Sequence, residues 1–128
     1  MATELDAQAP VETYDAELYL FRAEILKALA HPARLAMVDA LRSGERRVCE
    51  LQQLVGSALP TVSRHLSVLR ATGLLACRRE GAQIYYRLLV PCVVDMFRCL
   101  DQALLETEDR RSEVCCALLR RREEDAGA

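Results

Sequence analysis

Apolar residues recur along the first part of this chain at three- and four-residue intervals, the period that lines one face of a helix. Leu18, Phe21, Ile25 and Leu29 form such a stripe and predict an amphipathic helix over residues 16–29. His31-Pro32 interrupts it, and Pro32 suits the first turn of a second helix, where its missing N–H is not needed. That helix, residues 32–42, turns Leu35, Val38 and Leu41 inward and stops at Ser43-Gly44. Val48, Leu51 and Val55 mark a short third helix ended by Gly56. Pro60 opens a fourth that runs to about Ala71 before Gly73. Its inward positions are Val62, Leu66 and Leu69, and its outward ones are Thr61, Ser63, Arg64, Ser67 and Arg70.

After Gly73 the period changes to two. "LLACRR" and "QIYYRLL" flank "EGA", with Ile84, Tyr86 and Leu88 alternating against Tyr85 and Arg87, which predicts a hairpin turning near residues 80–82. Pro91 then starts a long helix to about Glu106, with Val93, Phe97, Leu100 and Leu104 on one stripe and Cys92, Met96, Cys99 and Ala103 on the next. So wide an apolar face exceeds what one small core covers and implies burial against a partner subunit. A last helix, about residues 110–122, carries the adjacent Cys115 and Cys116. The pattern thus divides into a mobile N-terminal tail (1–13), a domain of five helices and the hairpin (14–107), and a C-terminal helix and tail with the cysteine pair (108–128). The fold class is mainly α with a small β-hairpin.

A chain of 128 residues, 52% hydrophobic, holds one domain with a modest core. No apolar run approaches the roughly 20 residues that cross a bilayer, and the N-terminal stretch is acidic, so the expectation is a soluble cytoplasmic protein with no membrane partner. Six cysteines in an Ala- and Leu-rich chain without an export-like segment are expected to be reduced thiols rather than a disulfide scaffold. The net charge of −2 conceals an asymmetry. Glu4, Asp6, Glu12, Asp15 and Glu17 crowd the start without a base, whereas residues 60–88 carry Arg64, Arg70, Arg78, Arg79 and Arg87 against Glu80 alone. A local basic patch on an acidic chain suits an anionic partner such as DNA.

The order of elements sharpens that expectation. Two short helices joined by a Gly-containing turn, the second with small polar and basic residues outward, match the requirements of major-groove reading, in which short Ser and Thr allow close approach while Arg and His reach phosphates or base edges. A basic hairpin with Arg78, Arg79, Gln83, Tyr85 and Arg87 follows directly, placed for flanking phosphate or the minor groove. Helix, turn, helix and hairpin in this order make a winged helix-turn-helix. No C-x-x-C at a helix start and no acid–base pair near the cysteines point to an enzyme, so none is expected.

"LKALAHPARLAMVDAL", "PTVSRHLSVLRATGLL" and "RREGAQIYYRL" resemble the conserved stretches of the ArsR/SmtB bacterial repressors, over roughly residues 23–89. The resemblance implies a homodimer whose first and fifth helices build the subunit interface, and double-stranded operator DNA as partner. It also implies an inducer, often a metal or metalloid ion, that weakens operator binding. The family's recognition-helix positions fall on Thr61, Ser63, Arg64, His65 and Ser67, and its wing contacts on Arg78, Arg79 and Gln83. Where members often have Ser-Gln before Pro-Thr, this chain has Ala58-Leu59 and so lacks a capping hydroxyl. His31 and His65 read as structural or DNA-facing positions, two isolated histidines that make no metal site.

The family's arsenite site at the third helix, a "C-V-C" stretch, is incomplete here: "RRVCEL" has Arg47 for the first cysteine and retains Cys49. Its zinc site on the fifth helix needs Asp and His together, and here Asp95 and Asp101 have no histidine beside them. Thiolates without such partners suit As(III), Sb(III), Cd(II), Pb(II) or Cu(I), with no organic cofactor. If the last two helices fold back around residues 107–109, Cys99, Cys115 and Cys116 reach similar heights and can form a three-thiolate site, with Cys92 as the substitute for Cys99. Adjacent cysteines make a poor disulfide with each other, but either can bridge to a distant thiol, so a redox or reactive-sulfur inducer is the alternative. Cys77 reads as a packing residue of the wing.

Overall fold

The computed structural model describes residues 14–106 and 112–127. Its elements are α1 (Ala16–Leu29), α2 (Pro32–Ala40) with a 3₁₀ turn Leu41–Ser43, β1 (Arg46–Arg47), α3 (Val48–Val55), α4 (Leu59–Ala71), β2 (Leu75–Glu80), β3 (Gln83–Leu88), α5 (Val93–Glu106) and α6 (Ser112–Gly127). The three strands form one antiparallel sheet in the order β1-β3-β2. Among the described residues no helix is long and apolar enough to cross a membrane.

Local chemistry explains most boundaries. Asp15 caps α1 by accepting the Leu18 N–H at 3.1 Å. His31 does the same for α2 through Nδ1, which accepts the Ala33 N–H at 3.1 Å, and Pro32 occupies the first turn as expected. Gly56 ends α3 at φ 67°, a left-handed conformation, and its N–H returns to the Gln52 carbonyl at 2.9 Å. Helix α4 begins at Leu59, one residue before Pro60, and its cap residue Ala58 makes no side-chain hydrogen bond. The missing hydroxyl expected from Ala58-Leu59 is therefore a real gap in the helix start.

Val62, Leu66 and Leu69 of α4 have no exposed surface and meet Met37, Val38, Leu41, Leu51, Leu74, Leu75 and Tyr86 in one core. Each such burial stabilises the fold by about 1.5–3 kcal/mol before entropy is counted. In α2, Val38 and Leu41 point in as predicted, but Met37 takes the buried place and Leu35 remains at the surface. The hairpin register Cys77↔Tyr86, Arg78↔Tyr85 and Glu80↔Gln83 leaves Gly81 and Ala82 as the turn. Strand β1, too short to carry a period, was not predicted; it pairs Arg46 with Tyr86 and Arg47 with Tyr85.

Two predictions about the ends of the domain change. Helix α5 starts at Val93, so Cys92 lies in the preceding turn, where its carbonyl accepts the Asp95 N–H, and not on the helical stripe. Helix α6 runs to Gly127 rather than to Arg122. It is tied to α2 by an ion pair of Arg121 with Asp39 and to the 3₁₀ turn by one of Arg42 with Asp125 at 3.1 Å. Arg122 also donates to the Gln102 side-chain oxygen of α5 at 2.8 Å.

Candidate nucleic-acid interface and thiol positions

Helix α4 is anchored by its buried Val62-Leu66-Leu69 face, which fixes the opposite face outward. Thr61, Ser63, Arg64, Ser67 and Arg70 are all exposed, as the sequence pattern requires. His65, which the family resemblance set among the recognition positions, does not share that face. Only 7% of its surface is exposed, because it follows Val62 by three residues and precedes Leu69 by four, which puts it on the inner stripe. Its Nδ1 accepts the Arg34 Nε–H at 3.0 Å, and its ring centroid lies 4.4 Å from that of His31. The two histidines are thus neighbours rather than isolated, and His65 supports the helix instead of facing a groove. Burial, followed by the nearby His31, Arg34 and Arg64, holds the His65 imidazole below its ordinary pKa and favours the neutral ring.

The wing carries Arg79, Gln83 and Arg87 on exposed positions. Arg78 is exposed as well, but its guanidinium is already engaged. Its Nε donates to Glu45 Oε2 at 2.9 Å, its Nη1 donates to Glu80 Oε2 at 2.6 Å, and the group lies 4.3 Å from the centre of the Tyr85 ring. These bonds, Glu45 first and then Glu80, push the Arg78 pKa further above its ordinary value, while the same Arg78 bond lowers that of Glu45. Arg47 is likewise paired, with Glu50 at 2.9 Å. Two residues of this interface escaped the sequence reading. Arg34 stands in the middle of a helical run with no pattern to single it out, and Glu45 lies in a loop whose approach to the wing is visible only once β1 and β3 pair.

The thiols divide by environment. Cys77 is half-buried against the core beside Tyr86, the packing role expected of it. Cys49, Cys92, Cys99 and Cys116 are exposed. The side chain of Cys115 lies outside the described residues. Among the described residues no group of three or more His, Cys, Asp or Glu side chains gathers closely enough to hold a metal ion.

This arrangement has close counterparts. Residues 31–76 match the family model described as "Bacterial regulatory protein, arsR family". The crystal structure of the transcriptional repressor BigR from Xylella fastidiosa superposes with a TM-score of 0.62 at 36% identity, covering 71% of this chain and 93% of that one. The chain belongs to the ArsR family. A second ArsR-type neighbour, the homodimeric winged helix-turn-helix domain of a possible ArsR-family regulator from Mycobacterium bovis, gives a TM-score of 0.66 at 31% identity, covering 80% of this chain and 100% of that domain. In sequence, the "Biofilm growth-associated repressor" of Xylella fastidiosa is 48% identical over 66 residues, 52% of this chain. The chain spans 58% of the length of that relative. The ArsR family groups regulatory proteins rather than enzymes, and its fold here is the winged helix-turn-helix predicted from the order of elements.

Proposed function

We propose that this chain is a homodimeric transcriptional repressor that holds double-stranded operator DNA through α4 and the β2–β3 wing. It releases the DNA when As(III), or a related thiophilic ion such as Sb(III), Cd(II), Pb(II) or Cu(I), is captured by cysteine thiolates. The observation that carries the DNA-binding part is the outward face of α4, where Thr61, Ser63, Arg64, Ser67 and Arg70 stand exposed on a helix locked by its buried face. The names BigR and biofilm growth-associated repressor, each given to a repressor, support the same direction of control. The ion-capture part rests on the exposed thiols of Cys99 on α5, Cys116 on α6 and Cys92 in the turn before α5, with Cys115 adjoining Cys116 in sequence. Sulfur-only donors suit soft ions.

Fluorescence anisotropy tests this with a labelled duplex selected on the protein from a randomised library. Arsenite is expected to release the duplex from the wild type, and Cys99→Ser, Cys115→Ser or Cys116→Ser to keep DNA binding while losing release. Unchanged affinity with all the soft ions would remove the ion reading. A second reading keeps the repressor and replaces the ion by an oxidant or persulfide that couples two thiols. The exposure of Cys92, Cys99 and Cys116, without a gathered three-donor site among the described residues, favours it. Intact-mass measurement separates the two, since a disulfide loses two hydrogens whereas a bound ion adds its own mass.

A further inference from the structure

The two histidines of this chain, 34 positions apart in sequence, sit ring against ring beneath the recognition helix with an arginine between them and the first helix. Arg34 extends from α2 in two directions. Its Nε–H goes to His65 Nδ1 at 3.0 Å, in α4, and its Nη1–H goes to the Ala28 carbonyl at 3.3 Å, near the end of α1. His31, at the start of α2, spends its own Nδ1 lone pair on the Ala33 N–H. One side chain therefore ties three helices together, and both imidazoles take part through a nitrogen that carries no proton.

We propose that Arg34, His31 and His65 form a joint that seats α4 for DNA, and that protonation of the His65 imidazole opens the joint, so that DNA affinity falls as the pH falls. Arg34 and His65 are positioning residues: His65 is turned inward and neither is placed on the exposed face of α4. The chemistry is that of a donor meeting a donor. The guanidinium of Arg34 keeps its protons throughout the accessible pH range. A proton added to His65 Nδ1 puts an N–H, and a second positive charge, 3.0 Å from the Arg34 Nε–H, so the pair must separate. The groups facing His65 deepen the conflict: His31 and the Arg34 guanidinium come from α2 and Arg64 from α4 itself, while α1 contributes the Ala28 carbonyl that Arg34 already uses.

The sign follows from the direction in which His65 is shifted. Its pKa in the folded protein lies below the ordinary value of about 6.5, so the neutral, bonded form is fully present above that value. The joint is lost progressively as the pH drops from there through the folded pKa. This proposal rests on α4 being the DNA-reading element, and two kinds of measurement keep the failure of the two ideas apart.

The duplex selected on the wild type near neutral pH serves as probe for anisotropy between about pH 7.5 and pH 5.5, the range in which histidine titrates. Wild-type affinity is expected to fall at least fivefold across that range. His65→Asn keeps an acceptor for Arg34 and does not titrate, so it is expected to hold near-wild-type affinity at the upper pH. The His31→Asn/His65→Asn variant has no histidine left and is expected to bind equally at both ends. A flat wild-type profile, an undiminished fall in the double variant, or loss of the helical circular dichroism of the wild type over the same range would each overturn the joint. Nitrogen-15 spectra of the DNA-free wild type give a readout that needs neither variant nor DNA. An unprotonated Nδ1 on His65 near neutral pH, with the Thr61–Arg70 amide shifts following its titration, is expected; α4 amides indifferent to that titration would overturn the proposal. Absence of any DNA binding at any pH would instead strike the functional reading and leave the nitrogen-15 result to decide the joint.

Discussion

Arg78 shows how a residue can be correctly placed and still be unavailable. It stands on the wing at an exposed position, yet Glu45 and Glu80 both hold its guanidinium and Tyr85 lies under it. Such exposed pairs contribute little to stability, so their removal should leave the fold intact. Their effect is on charge: each carboxylate cancels part of what DNA would feel. Glu45→Gln is therefore expected to tighten DNA binding a few-fold at low salt and to steepen its salt dependence, measured by anisotropy across a salt series. Arg64→Ala acts the opposite way. With Arg64 exposed on the outward face and in no ion pair among the described residues, its removal is expected to weaken binding and, where it contacts phosphate, to flatten the log–log salt slope by about 0.9. An unaltered slope with weakened binding would assign Arg64 to a base edge instead.

At the scale of elements, the turn of the helix-turn-helix holds one residue suited to its place and one that is not. Gly56 meets a real conformational demand, since its φ of 67° suits a residue without Cβ. The space around it is open, so Gly56→Ala is strained by its backbone alone and is expected to lower stability by about 1 kcal/mol, read from denaturant midpoints at constant slope. Ala58, in contrast, leaves the α4 start without a side-chain cap. Ala58→Ser is expected to raise stability by about 1 kcal/mol in the same measurement. The elements themselves were largely legible. Helical stripes placed α1 to α4, the period-two run placed β2 and β3, and Gly56 and Pro32 marked ends that the structure keeps. Illegible were the features made by tertiary contact: β1, with two residues, exists only through its pairing with β3, and His65 became a support because Arg34 reaches it from another helix. The inner position of His65 was nonetheless written in the spacing from Val62 to Leu69, and was obscured by carrying the family's recognition positions onto it.

For the whole molecule the decisive feature is apolar surface left uncovered among the described residues. On α1, Leu29 is buried and Ile25 half-buried, but the same stripe continues to Phe21 and Leu18, which are 57% and 40% exposed, with Tyr19 and Leu20 exposed beside them. On α5, Val94 is buried and Phe97 packs on the core, yet Leu100 is exposed. A helical stripe that starts in the core and runs out past it has the form of a surface shared with a second subunit, and a contiguous patch of such side chains is costly to leave in water. A homodimer closed by these helices would also set two copies of α4 at a fixed separation, which a palindromic site requires. Phe21→Asp is the discriminating change. The side chain is more than half exposed in the single chain, so a charge there should leave the fold and its circular dichroism unchanged while placing a desolvation cost at the subunit contact. Sedimentation is expected to shift from dimer to monomer, and affinity for a two-half-site duplex to fall much more than affinity for a single half-site. A Phe21→Asp protein that remains dimeric would move the interface off α1 and leave the exposed Leu18-to-Phe21 surface in need of another partner.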